Sequence, residues 1–393
     1  MTRRIYCDNS ATSFPKPDAV HEAMLRYARE VGASAGRGAY REALECAEIL
    51  SGCRARLCRL FAAERPESFI FTLNATDGLN LAIKGLLGPG DHAITTWMDH
   101  NSVLRPLNAL HRRLGVETTF VPCDSQTGLV DPERIRQAIR PRTRLIACVH
   151  ASNVTGTVQP IAEVGRIARE HEIPFLVDAA QSVGHLSINV QELPIDVMAF
   201  PGHKALLGPL GTGVLYVRPG LEHRLDTVRE GGTGSLSEQP HQPEFLPDRF
   251  EAGSHNAIGI AGLSAGLEWI LDRGTAALRR HEEQLIERFL GGISGLRRVT
   301  VYGPREPARR VAVFSIRIDG LEPAELSAVL ESQFGILTRS GLHCAPLAHR
   351  TIGTYDLGGT TRISFGPFTT LEDVDEVVRA VSRVAAGAGV VAV

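Results

Sequence analysis

Charge of either sign is not in excess. The 393 residues carry 42 basic and 44 acidic side chains, a net charge of −2, so the basic footprint of a nucleic-acid binder is missing. No apolar run approaches the ~20 residues that cross a bilayer. The opening MTRRIYCDNSATSFPKP has two arginines but no apolar core, so it does not read as a secretory signal, and a cytoplasmic location is expected. The seven cysteines contain no CxxC pair. Three of them, Cys46, Cys53 and Cys58, fall in EALECAEILSGCRARLCRLFA, which reads as a helix without histidine or acidic partners at ligand spacing. No metal is expected there, and small apolar or surface thiols in a reducing compartment are. Internal repeats and low-complexity tracts are absent too. What remains is a chain that is 43% hydrophobic and long enough for about two domains.

From about residue 68 to 217 short β-branched runs alternate with helical stretches. The runs are SFIFT, HAITTW, VETTFVP, RLIACVH, PFLVDAA, DVMAF and GVLYV, and between them lie DGLNLAIKGLL, NSVLRPLNALHRRLG, PERIRQAIR and IAEVGRIAREHE. Asp131 followed by Pro132 predicts an N-cap with proline at the first helical position. Continuous apolar strands between helices predict an α/β fold with a mainly parallel sheet covered on both faces. Residues 221 to 256 are rich in Gly, Pro and polar residues and read as loops. A long helical segment, about 257 to 294, then leads to RVAVFSIRI, a helix over EPAELSAVLESQF, the strand TTRISFG and a closing helix, which together predict a smaller α+β domain. The expected division is an N-terminal arm over 1–17, a large domain over 18–255 and a small domain over 256–393.

Polar residues follow the expected strands, where ligands sit in doubly wound sheets. Asp178 ends PFLVDAAQ with Gln181 three residues on, His100 follows AITTWMD, Asn153 follows RLIACVHAS, and Lys204 follows DVMAF. Thr76, in NAT between FIFT and a helix, offers a phosphate seat at a helix N-terminus. Taken singly, a strand-end Asp is also a common turn former and a lone His a common structural group. GHKALLGPLGTG is not a P-loop, because the lysine precedes the glycines and Ala205 follows it. One chemistry uses the whole set, that of pyridoxal phosphate (PLP). It needs a lysine amine for the Schiff base, a carboxylate for the pyridine nitrogen and a helix N-terminus for the phosphate.

Cys344 stands in LTRSGLHCAPLAH beside His343 and five residues after Arg339. Basic neighbours favour the nucleophilic form of a thiol. On the residues alone, a reactive nucleophile and an ordinary loop thiol fit equally well.

Over nearly its whole length the chain resembles the class V aminotransferase branch of fold-type I PLP enzymes, and within it the cysteine desulfurases with a short active-site loop. The motifs that carry the resemblance are YCDNSATS, FPKP, FTLNATDGLNLA, DHNSV, HASNVTGT, VDAAQSVGH, GHKALLGPLGTG, FEAGSHN, RSGLHCAP and TTRISFG. The resemblance implies a seven-stranded large domain and a smaller C-terminal domain carrying Cys344 and Arg362. It implies that Lys204 is the Schiff-base lysine, that Asp178 meets the pyridine nitrogen, and that Gln181 meets the ring hydroxyl. His100 would stack on the ring, and Ala75, Thr76 and His203 would hold the phosphate. Asn153 would lie near the ring hydroxyl and the substrate. Ser254 would reach the phosphate of the other subunit's cofactor, which implies a homodimer. Arg362 would clamp the substrate carboxylate with two parallel hydrogen bonds, with Arg339 and Arg37 lining the pocket, and Cys344 would take sulfur from L-cysteine as a persulfide. Alanine is then the product, and a sulfur-acceptor protein the next partner.

The chain departs from the family at several positions. Pro201 replaces a usual hydroxyl residue, Asp99 a common glutamate, Leu342 a second histidine and His255 a frequent proline, while Ser254 stands for threonine. These departures keep a selenocysteine lyase or another β-lyase in view. A transaminase or epimerase would not need Cys344, and a non-catalytic binding protein would not need Lys204, Asp178, Cys344 and Arg362 together.

Overall fold

The computed structural model describes residues 3–36 and 38–387. Its larger sheet has seven strands in the order Phe69–Thr72, Gly213–Val217, Val197–Pro201, Phe175–Asp178, Thr143–Val149, His92–Thr96, Glu117–Val121. The run from Val197–Pro201 to Glu117–Val121 is parallel throughout. Gly213–Val217 is antiparallel to both of its neighbours. Only residues 202–212 lead into it, and no helix lies among them, so the chain reverses instead of making a crossover.

Strand alternation sends side chains to two buried layers. Phe69, Phe71, Ile94, Ile146 and Cys148 pack on one face. Ile70, Ala93, Leu145 and Ala147 pack on the other. The sheet is therefore doubly wound, as the apolar runs predict. The helix Pro132–Gln137 starts as expected, with Asp131 accepting the Glu133 N–H at 3.0 Å.

The long helical segment breaks into Ala257–Arg273 and Thr275–Ile293. The break is Gly274, whose φ of 77° ends the first helix. Ala257–Arg273 packs against Asp18–Arg26 and Arg41–Phe61. Its Leu263, Leu267 and Ile270 belong to the core of the large sheet, although the expected boundary assigns this helix to the small domain. The reason is its composition: it is apolar on nearly every side and so is buried in the larger body.

The smaller sheet is antiparallel, in the order Arg339–Gly341, Thr360–Ser364, Val313–Ile318, Val299–Tyr302. Thr275–Ile293 and Leu371–Ala385 pack beside it. Ile5–Tyr6 pairs in parallel with Ile336–Leu337. The segment then crosses to the large sheet, where Ser10 O accepts from Gln181 Nε2 at 2.9 Å and Ser13 N donates to His203 O at 3.0 Å. A second tie is the contact between His185 Nδ1 and Glu282 Oε1 at 2.8 Å. These ties bring the strand Thr360–Ser364 against the carboxyl ends of the large sheet.

Candidate active site

Eight residues singled out by the sequence line one recess of about 490 Å³: Ala75, Thr76, His100, Asn153, Asp178, Gln181, His203 and Lys204. Their convergence follows from the parallel strands, whose carboxyl ends all open on this side.

Lys204 follows the strand Val197–Pro201. Burial depresses its ammonium pKa to about 8, against a partial upward pull from Asp178. Asp178 is 2% exposed. Its Oδ1 accepts the Ala180 N–H at 3.0 Å. Burial raises its carboxyl above the ordinary value, while that N–H and Lys204 pull it back.

His100 caps the helix Asn101–Leu114, its Nδ1 accepting the Ser102 N–H at 3.1 Å. The imidazole proton therefore belongs on Nε2. Burial first, then the Lys204 charge, depresses its pKa to about 4, so the ring is neutral near pH 7. Ser102 Oγ lies 2.9 Å from that Nδ1 and 2.8 Å from Thr76 Oγ1. The sequence reading missed Ser102, whose position inside DHNSV was the available signal. Ala75 opens a helix capped by the Asn74 side chain, which accepts from the Asp77 N–H at 3.0 Å. The first-turn N–H groups are thus presented beside Thr76. His203 is neutral as well, depressed to about 4 chiefly by burial, and its buried Nδ1 has no partner among the described residues.

The Cys344 loop comes from the small body and is tied to the large one. Asn101 N donates to Cys344 O at 2.8 Å, and Asn153 Nδ2 donates to His343 O at 2.6 Å. His343 and Cys344 both have left-handed backbones, with φ of 48° and 58°. Such conformations cost about 1–2 kcal/mol each for non-glycine residues. The two tethers hold the turn, and the thiol is exposed.

The expectation that His343 supplies positive charge to this thiol is overturned. Its Nε2 donates to Thr360 O at 3.1 Å. Burial first, then Arg362, holds its pKa well below the usual imidazole value. The ring is neutral and faces inward.

Arg362 is 2% exposed and lies opposite Arg339 in the strand register. Its Nη2 donates to Asp8 Oδ1 at 2.7 Å and its Nη1 to Asn153 O at 3.3 Å. Arg339 is exposed, and Arg37 lies outside the described residues. Pro201 lines the recess where a hydroxyl was expected. Ser254 lines a separate recess with Gly211, Glu251 and His255. Glu251 there holds His255 Nε2 at 2.6 Å and Arg54 Nη2 at 2.5 Å.

The model of the class-V aminotransferases matches residues 5–377. The chain belongs to this family. Within the family, a probable cysteine desulfurase of Methanothermobacter thermautotrophicus is 35% identical over 94% of this chain and 92% of its own length. A cysteine desulfurase of Yersinia pestis is 33% identical over 97% and 93%. Among solved structures, the apo cysteine desulfurase of Thermococcus onnurineus superposes with a TM-score of 0.91 at 34% identity, covering 98% of this chain and 95% of that one. The cysteine desulfurase CsdA of Escherichia coli, as its S-sulfonic acid, gives 0.86 at 28% identity, covering 96% and 94%. The family seen in the motifs is thus the family found by comparison.

Proposed function

We propose that the chain is a PLP-dependent cysteine desulfurase that converts L-cysteine to L-alanine and takes the sulfur on Cys344. The observation that carries this reading is a juxtaposition. One recess gathers Lys204, Asp178, His100 and a helix N-terminus, and the Cys344 carbonyl is bonded to the residue that follows His100.

The residues fit the cofactor. The partnerless buried Nδ1 of His203 and the helix start at Ala75 and Thr76 suit a phosphate. Asp178 suits a protonated ring nitrogen, Gln181 and Asn153 the ring hydroxyl, and the flat neutral His100 a ring face. When bound, PLP would supply an aldehyde for the lysine amine and a ring able to take up electrons from the substrate's α-carbon. The chain's own residues do the rest. Arg362, with Asn153 beside it, binds the substrate carboxylate, and Arg339, opposite it in register, lines the pocket. Lys204 Nζ, with an amine depressed to about 8, takes and returns the α-proton near neutral pH. Cys344 Sγ, exposed on a braced turn, takes the substrate sulfur and offers it to an acceptor protein.

The working form in this reading is a homodimer in a reducing, cytoplasmic setting. Leu210, 67% exposed, and Ile258, 36% exposed, lie within two positions of Gly211 and Asn256 of the Ser254 recess, and a second copy would cover them. All seven cysteines are free thiols. Among the described residues, no helix is long and apolar enough to cross a membrane.

The test is incubation of the PLP-loaded protein with L-cysteine and an excess of a thiol reductant, which releases the outer persulfide sulfur as sulfide and is itself oxidised to the disulfide, with alanine and sulfide both measured. L-selenocysteine and cysteine sulfinate run alongside. Equal yields of alanine and sulfide from L-cysteine are expected. Turnover of L-selenocysteine alone would make it a selenocysteine lyase, a reading that Leu342 keeps open.

A further inference from the structure

The Arg362 guanidinium is not free to meet a substrate as a bare cation. Asp8 Oδ1 sits 2.7 Å from its Nη2, while its buried Nε has no partner among the described residues. One donor is thus already matched by a charge, and another waits for an acceptor. Asp8 is placed by backbone structure rather than by chance of rotamer. It bridges to Ser364, two residues beyond Arg362 on the same strand. Ser364 N donates to Cys7 O at 2.8 Å, and Ser10 N donates to Ser364 Oγ at 2.9 Å.

We propose that Asp8 is a specificity-determining counter-charge. It lowers the affinity of Arg362 for anions and restricts the clamp to substrates bearing a single carboxylate. This rests on the reading of Arg362 as the carboxylate clamp. The physical reason is Coulombic. A substrate carboxylate on this guanidinium is repelled by Asp8 across a few ångströms of partly desolvated protein, and a second anionic group on the ligand is repelled again. Arg339, exposed and opposite in register, does not neutralise Asp8, because the two form no ion pair among the described residues.

Asp8→Asn separates charge from geometry, since the amide keeps an oxygen to accept from Nη2. Steady-state turnover of L-cysteine is measured for the wild type, Asp8→Asn, Asp8→Ser and Arg362→Ala, with propionate and malonate as competing mono- and dianion. Asp8→Asn is expected to lower KM about tenfold and to strengthen malonate inhibition more than propionate inhibition. Asp8→Ser, which also keeps an oxygen, shifts both in the same direction and stands in if the amide variant does not fold. Arg362→Ala is expected to raise KM at least about a hundredfold. An unchanged or raised KM in Asp8→Asn, with the two inhibitors moving together, overturns the role of Asp8 while leaving the clamp intact. An unchanged KM in Arg362→Ala overturns the clamp and the proposal with it.

Discussion

The two ends proposed to react, Lys204 and Cys344, are built in opposite ways. Lys204 is supported by a parallel sheet buried on both faces, and its nucleophilicity comes from burial, which depresses the amine to about 8. Cys344 is exposed on a turn of two left-handed residues, and what it has is position. Its carbonyl is held by Asn101, and the carbonyl before it by Asn153. An amine that stays in one place can be activated by desolvation. A thiol proposed to hand sulfur to an acceptor has to remain in solvent, and here it is the backbone that the fold fixes.

The sharpest break in this comparison is Lys204→Ala. Alanine formation should fall by more than about a thousandfold, while the melting temperature stays close to that of the wild type, since a buried amine has been removed and not a core side chain. A stable variant that retains turnover would place the reactive amine elsewhere.

The seam between the two ends comes next. Glu282 joins His185 to Arg279 and accepts the Ala312 N–H at 2.7 Å. Removing its charge in Glu282→Gln leaves buried donors unmatched and should cost about 3 kcal/mol by denaturant unfolding. Although burial alone would raise it, its carboxyl is held below the ordinary 4.5 by His185 and Arg279. A depressed carboxylate contributes stability above its unfolded value and loses it as pH falls through the lower folded value. The gap between wild type and variant should therefore be full at neutral pH, begin to close as pH falls below the ordinary 4.5, and be gone once pH is below the depressed folded value.

A smaller effect is expected at the cysteine end. His343→Ala removes the anchor to Thr360 and should lower kcat about tenfold. Because that ring is neutral, the pH dependence of turnover should keep its shape. A profile that loses a limb would restore the charged role that burial argues against. The mildest test is a titration. In the protein freed of PLP, the rate of Lys204 acylation, read by peptide mapping, should rise with a midpoint about 8 rather than the ordinary 10.5.

The lysine end was far more legible in the sequence than the cysteine end. Asp178, Asn153, His100, Thr76 and Lys204 each stand just after an apolar run, so a local pattern and the rule for parallel sheets locate them together. The contacts that organise the other end are non-local. Asp8 and Arg362 are 354 positions apart, and no periodicity links them. The inward turn of His343 depends on a strand pairing that sequence cannot show. The strand Arg339–Gly341 was too short and polar to read, whereas Val299–Tyr302, with the sequence VTVY, carried a β-branched signal that was missed. Gly274 was visible, but its left-handed φ, which splits the long helical segment, was not. Ser254 was assigned to the cofactor of another subunit, and in one chain it lines a recess of its own.

The account stands or falls on where the sulfur goes. PLP-loaded protein is turned over with L-cysteine, quenched with an alkylating agent and digested, and each cysteine peptide is weighed. One extra sulfur atom on the peptide bearing Cys344, absent from the other six cysteines and from Lys204→Ala, is the predicted result. Alanine produced at the full rate with Cys344 carrying no added sulfur, or with Cys344→Ala as active as the wild type, would contradict it.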